Sequence, residues 1–238
     1  MREEDKLDCL LAQEAGELPP PPEVEREITP WRRAMHRIVW GIGLTTCTLN
    51  VWNLDTAMLM VGTVMLWLGF RALRRENRWF TACWGISLIE VVFRLAVFIL
   101  NATTWGAEYS HGWLTYFVVL LPLVQYICLW QAIKEVRRRA GQPVEARAAG
   151  ALIWFYLVLT ALALLNVQGL IFVVAILVIY ILILRSLSKF SNLLDEAGYQ
   201  VQPALVRISD RSIWILWCVA LLVCITTAPI LFGRYPME

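Results

Sequence analysis

Charge is scarce in this chain. Charged residues make up 17% of it against 59% hydrophobic residues, and mean hydropathy is +0.60. A soluble globular domain carries about a quarter charged residues, so this balance excludes that class and points to a polytopic membrane protein. Catalytic signatures are lacking too: no HExxH, GxSxG, Walker loop or dinucleotide fingerprint occurs. Histidine occurs only as His36 and His111, which are expected at opposite membrane surfaces and so cannot share a metal. The six cysteines include no CxxC pair and none falls in an expected outer loop, which supports neither a disulfide framework nor a zinc site. Basic residues are not interleaved with aromatics in any stripe suited to nucleic acid. The acidic N-terminus has no early apolar core, so no signal peptide is read there and the first span is expected to direct insertion. The expectation is a non-enzymatic protein with no cofactor and no metal, whose first partner is the lipid bilayer.

What the chain has in quantity is long apolar runs. A helix needs about 20 apolar residues to cross the ~30 Å hydrocarbon core. Seven spans are read, at 34–52, 56–70, 79–101, 113–133, 151–165, 170–184 and 212–232, forming an all-α seven-helix bundle over residues 30–234. Thr29-Pro30 marks the first helix start, with Thr as cap and Pro at the first helical position. Trp31, Arg32, Arg33 and Arg37 are expected to anchor that helix at the membrane surface. Asn53-Leu54-Asp55 reads as a tight turn. Gly41, Gly43 and Gly62 offer close helix approach, and Thr45, Thr46, Thr48, Asn50 and Thr63 offer interhelical hydrogen bonds. The sixth helix is expected to run on through Arg185 and Lys189 toward Ala197, with Gly198 as a C-terminal cap. Ser209 or Asp210 caps the seventh.

Basic residues sort cleanly by side. Every Lys and Arg except Arg94 and Arg234 falls in the N-terminal flank or near the turns after spans two, four and six. The turns after spans one, three and five have none. The positive-inside rule then puts the N-terminus in the cytoplasm and the C-terminus outside. Spans two and three, four and five, and six and seven each form a pair joined on the inner side, and the arriving helices end alike, at Phe70-Arg71-Ala72-Leu73, Trp130-Gln131-Ala132-Ile133 and Leu184-Arg185-Ser186-Leu187. A triplicated hairpin is one reading; the common demands of an inner membrane surface are the other.

The third span places a carboxylate and a guanidinium where lipid is expected. Glu90 lies near its middle and Arg94 follows one turn later, in the favourable order for a helical ion pair. Cys83, Ser87, Glu90, Arg94 and Asn101 share one stripe, which must face a bundle interior or a wet cavity. The fourth span descends past Pro122, Gln125 and Tyr126 at the same depth. Pro122 removes a helix hydrogen bond and should free a carbonyl around Val118, while Gln125 and Tyr126 are placed to bond the charged pair. Glu90, Arg94, Ser87, Gln125 and Tyr126 are therefore the candidate intramembrane polar site. The pair either locks the helices together, serves a solute, ion or proton, or acts as a switch.

Residues 1–29 form a separate acidic, proline-rich tail expected on the cytoplasmic side. Nine acids precede Thr29, and Pro19 to Pro22 impose an extended spacer. Leu7, Leu10 and Leu11 share one face of a short helix that is stable mainly when docked, a candidate partner-binding segment; a disordered solvating leader is the plainer reading. Two functions follow. The first is a regulatory or scaffold protein that binds a cytoplasmic protein partner through its tail and inner loops. The alternative is a transporter of a small solute or ion with its site at Glu90 and Arg94.

Overall fold

The computed structural model describes residues 29–46, 54–101, 113–141, 146–165, 170–196 and 209–232. Among them are seven helices: α1 Pro30–Thr46, α2 Leu54–Leu73, α3 Arg78–Asn101, α4 Trp113–Arg139, α5 Arg147–Leu164, α6 Leu170–Glu196 and α7 Asp210–Phe232. Four stretches are long and apolar enough to cross a membrane: Arg78–Phe98, Val119–Arg139, Arg147–Leu164 and Phe172–Leu194; Ala57–Leu73 is a shorter apolar helix. The outward faces of α5, α6 and α7 expose Val158, Val174, Leu182, Leu216 and Leu222. Rows of exposed branched apolar side chains suit lipid tails, and the chain is a membrane protein.

Helix starts follow local chemistry. The Thr29 hydroxyl accepts from the Arg32 amide at 3.2 Å, so Thr29 is the cap of α1. Ser209 caps α7, accepting from the Arg211 amide at 3.2 Å, which leaves Asp210 free to reach elsewhere. Leu54 and Asp55 belong to the first turn of α2, so the expected Asn53–Asp55 turn is shorter than read; Asn53 itself lies outside the described residues. Gly141, at φ 66°, follows the end of α4, a conformation glycine adopts without strain. Helix α4 runs past the apolar run to Arg139, and α6 continues through Arg185 and Lys189 to Glu196. Gly198 lies outside the described residues.

The tightest helix contact is α1 on α2, and small residues make it. A Cβ on Gly41 would stand 2.7 Å from Leu66 Cγ and 2.9 Å from the Gly62 carbonyl. One on Gly62 would stand 2.8 Å from Thr45 Cγ2, and one on Gly69 would meet Ile38 Cγ1 at 2.6 Å. Gly43 has no such role, since its nearest neighbour, Leu184, lies at an ordinary 3.5 Å. Thr45 and Thr63 do not bridge helices as expected, whereas Thr46 of α1 meets the Tyr126 hydroxyl of α4, and Thr48 and Asn50 lie outside the described residues. Thr45 bonds the Gly41 and Ile42 carbonyls, and Thr63 those of Leu59 and Met60, each within its own helix. A Ser or Thr hydroxyl finds the carbonyl three or four residues back without any help from tertiary structure.

Each of the first six helices packs on the next, and α6 returns to α1, so the six form a closed ring. Its core holds Trp31, Met35, Phe70, Phe80, Leu129, Ile133, Leu152, Leu187 and Leu194. Trp31 was expected at the surface with its arginine neighbours. It is instead fully buried, edge-on to Phe80 with ring centroids 6.2 Å apart. Its place at the second position of α1 turns it to the α3 side, while Arg32 and Arg33 stay exposed. Burying an indole ring removes a large apolar area from water.

Helix α7 lies outside the ring. Ile213 and Trp217 pack with Met60, Val64 and Leu68 of α2 and Val91 of α3. Helices α2–α3 and α4–α5 pack as neighbours, whereas among the described residues the core contacts of α7 are with α2 and α3 and none is with α6. The packing therefore does not repeat as a triplicated hairpin would require.

Candidate intramembrane polar site

The site lies where α3 and α4 face each other and α1 and α5 close the sides. Twelve residues separate Arg78 from Glu90, which sets Glu90 ~18 Å along α3. Cys83, Ser87 and Glu90 are all buried, at 0%, 0% and 5% exposure, so the expected stripe does face inward. The Asn101 side chain, at the far end of the stripe, lies outside the described residues.

The lower half of the stripe is a closed knot of neutral groups. The Ser87 hydroxyl donates to the Cys83 carbonyl at 2.7 Å and accepts from Gln125 Nε2 at 2.8 Å. Cys83 Sγ donates in turn to the Gln125 carbonyl at 3.7 Å. Gln125 is 2% exposed, so in an apolar interior this bond replaces an otherwise unsatisfied amide. Gln125 therefore serves Ser87, and not the charged pair as expected. Cys128 stands beside Cys83 on the α4 side, a neighbour that the sequence spacing did not suggest.

One turn higher the groups are charged. Glu90 and Arg94 attract each other electrostatically. Yet among the described residues no ion pair or hydrogen bond joins them, which corrects the direct pair expected from their spacing. Arg94 Nε is buried without a hydrogen-bond partner. Tyr126 of α4 and Tyr156 of α5 lie within electrostatic range of the Arg94 guanidinium. Tyr126 is 5% exposed, edge-on to Tyr156 with centroids 5.5 Å apart, and Thr46 of α1 stands beside its hydroxyl.

Pro122 sits inside the continuous helix α4. Its missing amide and ring disturb the carbonyls one turn back. The carbonyl that finds an outside donor is that of Val119, which accepts from the Tyr156 hydroxyl at 3.0 Å. That is one residue on from the Val118 carbonyl expected to be freed. Tyr156 was missed because nothing in α5 alone marks its hydroxyl as a partner for a bond 37 residues back.

Asn77 was missed as well. Its side chain caps α3, accepting from the Phe80 amide at 2.8 Å, and donates to the Ala132 carbonyl of α4 at 3.1 Å. An Asn before an apolar run is a cap signal in the sequence. The second bond is legible only in three dimensions. Leu7, Leu10 and Leu11 lie outside the described residues, and no group of three or more potential metal ligands occurs among the described ones. The site holds one acid, one permanent cation and two phenols in an apolar surround, a set that can hold a small polar or ionic species but offers no evident nucleophile–base pair. No protein-family model, curated protein or solved structure matches the chain.

Proposed function

We propose that this is a seven-span, non-enzymatic membrane protein, N-terminus cytoplasmic and C-terminus outside, that binds and passes a small polar or ionic solute at the level of Glu90 and Arg94. The observation that carries this reading is the Nε of the half-buried Arg94, itself buried and unpartnered, with no direct bond to Glu90 one turn away. A pair kept only to lock helices is best satisfied by direct contact, because burying each charge costs several kcal/mol. Charges held near but apart leave room for a third party. Pro122 within α4 at the same depth supports the reading, since the Val119 carbonyl that turns to an outside donor adds a polar backbone group at that level.

The test uses Glu90→Gln, Arg94→Gln and the double variant in liposomes, reading thermal stability together with flux of protons and small ions. A solute site predicts that the double variant regains stability while flux stays lost, because the ionisable groups themselves are needed. Recovery of both would make the pair structural.

A second reading is a regulatory or scaffold role for residues 1–29 and the inner loops. It rests on the density of acids in that tail and the Leu7, Leu10, Leu11 face. Affinity capture from detergent extract, with and without residues 1–28, separates the two: loss of a captured protein and of phenotype on deletion favours the scaffold.

A further inference from the structure

Two cavities follow one another along the seam between α5 and α6. The first, about 370 Å³, lies at the end of α5 that begins with Arg147, where α4 also borders the seam. Arg137 of α4, Arg147 of α5, and Lys189 and Ser186 of α6 line it over an apolar floor that includes Leu187 and Phe190. The Arg137 guanidinium lies 4.8 Å from the centre of the Phe190 ring, which steadies the cation above that floor. Glu135, two residues earlier on α4, turns away to Arg138 and Arg139.

The second cavity, about 520 Å³, begins within a turn of the first, at Ala151 on α5 and Ile183 on α6, and runs to Leu162 and Ile176. Apolar and aromatic side chains alone line it, and Trp154 is 71% exposed at its basic end. Ala151 to Leu162 spans eleven steps of ~1.5 Å, roughly 16 Å. Half of a ~30 Å hydrocarbon core is ~15 Å, so the groove is as long as one leaflet is deep.

We propose that this seam binds an anionic phospholipid, its phosphate held by Arg137, Arg147 and Lys189 and one acyl chain lying between Ala151 and Leu162. Charge and shape favour this occupant together. A free phosphate would use the basic cavity and leave the apolar groove unexplained. A further apolar helix would use the groove and have no need of three cations. A zwitterionic lipid would bring its own ammonium group against those cations. Basic pockets between membrane helices that open onto apolar grooves are matched to anionic headgroups. Because the three cations come from three helices, the lipid ties α4, α5 and α6 together. In the orientation proposed above the lipid lies in the inner leaflet; the site itself depends neither on that orientation nor on the Glu90 reading.

The test uses the full-length protein in mild detergent, titrated with phosphatidylglycerol, with phosphatidylcholine and with inorganic phosphate. Native mass spectrometry reads bound lipid, and thermal unfolding reads stabilisation. Phosphatidylglycerol is expected to stay bound under activation that strips phosphatidylcholine, and to raise the unfolding midpoint where phosphate does not. Each cation near a surface is worth roughly fivefold in affinity for an anionic lipid, so Arg147→Gln with Lys189→Gln should weaken phosphatidylglycerol retention roughly 25-fold. Phosphatidylcholine retention should not change in that variant. Val158→Trp, which fills the groove, should weaken both lipids. Equal retention of the two lipids by the parent protein overturns the proposal, whatever the variants do. Stabilisation by phosphate equal to that by phosphatidylglycerol assigns a free-anion pocket and overturns it too. Parent-like retention in the folded double variant places the lipid elsewhere.

Discussion

The Tyr180 hydroxyl of α6 donates to the Ile42 carbonyl of α1 at 2.6 Å, and this buried bond closes the ring of six helices. Tyr180 also stacks on Phe155 of α5, centroids 5.1 Å apart, so its ring is held before its hydroxyl is used. The Tyr180→Phe variant keeps the stack and removes only the bond. Interhelical hydrogen bonds in membranes average ~0.6 kcal/mol with a maximum of ~1.7. Because the Ile42 carbonyl also accepts from Thr45, the loss should fall below ~1 kcal/mol, with helicity unchanged. Chemical unfolding in mixed micelles measures it; a loss above ~2 kcal/mol would mean that the stack has gone as well.

Gly41, Gly43 and Gly62 of the first hairpin should not be equivalent. A Cβ on Gly41 or Gly62 runs into backbone and packed side chains at 2.7–3.0 Å, whereas Gly43 meets one leucine methyl at 3.5 Å. Gly41→Ala and Gly62→Ala are expected to cost ~1–3 kcal/mol through forced separation of α1 and α2. Gly43→Ala should be neutral or slightly stabilising, since it lowers the entropy of the unfolded chain. Thermal unfolding of the three variants side by side decides it, and equal effects would mean that α1 and α2 do not meet as described.

Asp210 joins α7 to the ring. Its carboxylate accepts from Arg37 at 2.6 Å and from Arg71 at 3.2 Å, the latter 9% exposed in its side chain. The Asp210 side chain is 37% exposed, so solvent screens part of the attraction. Asp210→Asn should cost ~1 kcal/mol or less in global stability and free the start of α7. Hydrogen exchange should therefore speed up in α7 before it does in α2. Unchanged exchange in α7 would show that Ile213 and Trp217 hold the helix unaided.

Orientation is tested by fusions. A reporter active only outside the membrane should be active after Glu238 and silent after Gly141 or Gln200. Activity at Gly141 would overturn the orientation, because Lys134, Arg137, Arg138 and Arg139 would then have crossed the bilayer.

Helix positions were readable because bilayer thickness dictates the length of an apolar run, and caps such as Thr29 and Ser209 act within a few residues. The inward stripe of Cys83, Ser87 and Glu90 was readable for the same reason: a 3.6-residue period is local. Contacts between helices were not. Nothing near Tyr126 in the chain says that Tyr156 of α5 will stand beside it, and nothing near Trp31 says that Phe80 will cover it. The direct Glu90–Arg94 bond was overread from spacing, because spacing places two side chains on one face without choosing their rotamers. Asp210 was read as a possible cap, since its use by Arg37 and Arg71 depends on where α7 lands.

That landing has a consequence for how the protein is made. Asp210 is separated from Arg71 by 139 residues and from Arg37 by 173. At ~5–20 residues per second, a ribosome needs roughly 7–28 s after finishing Arg71 to deliver its acid. Through that interval Arg37 and Arg71 lack the acid of α7, and a chain that stops short of Asp210 never supplies it.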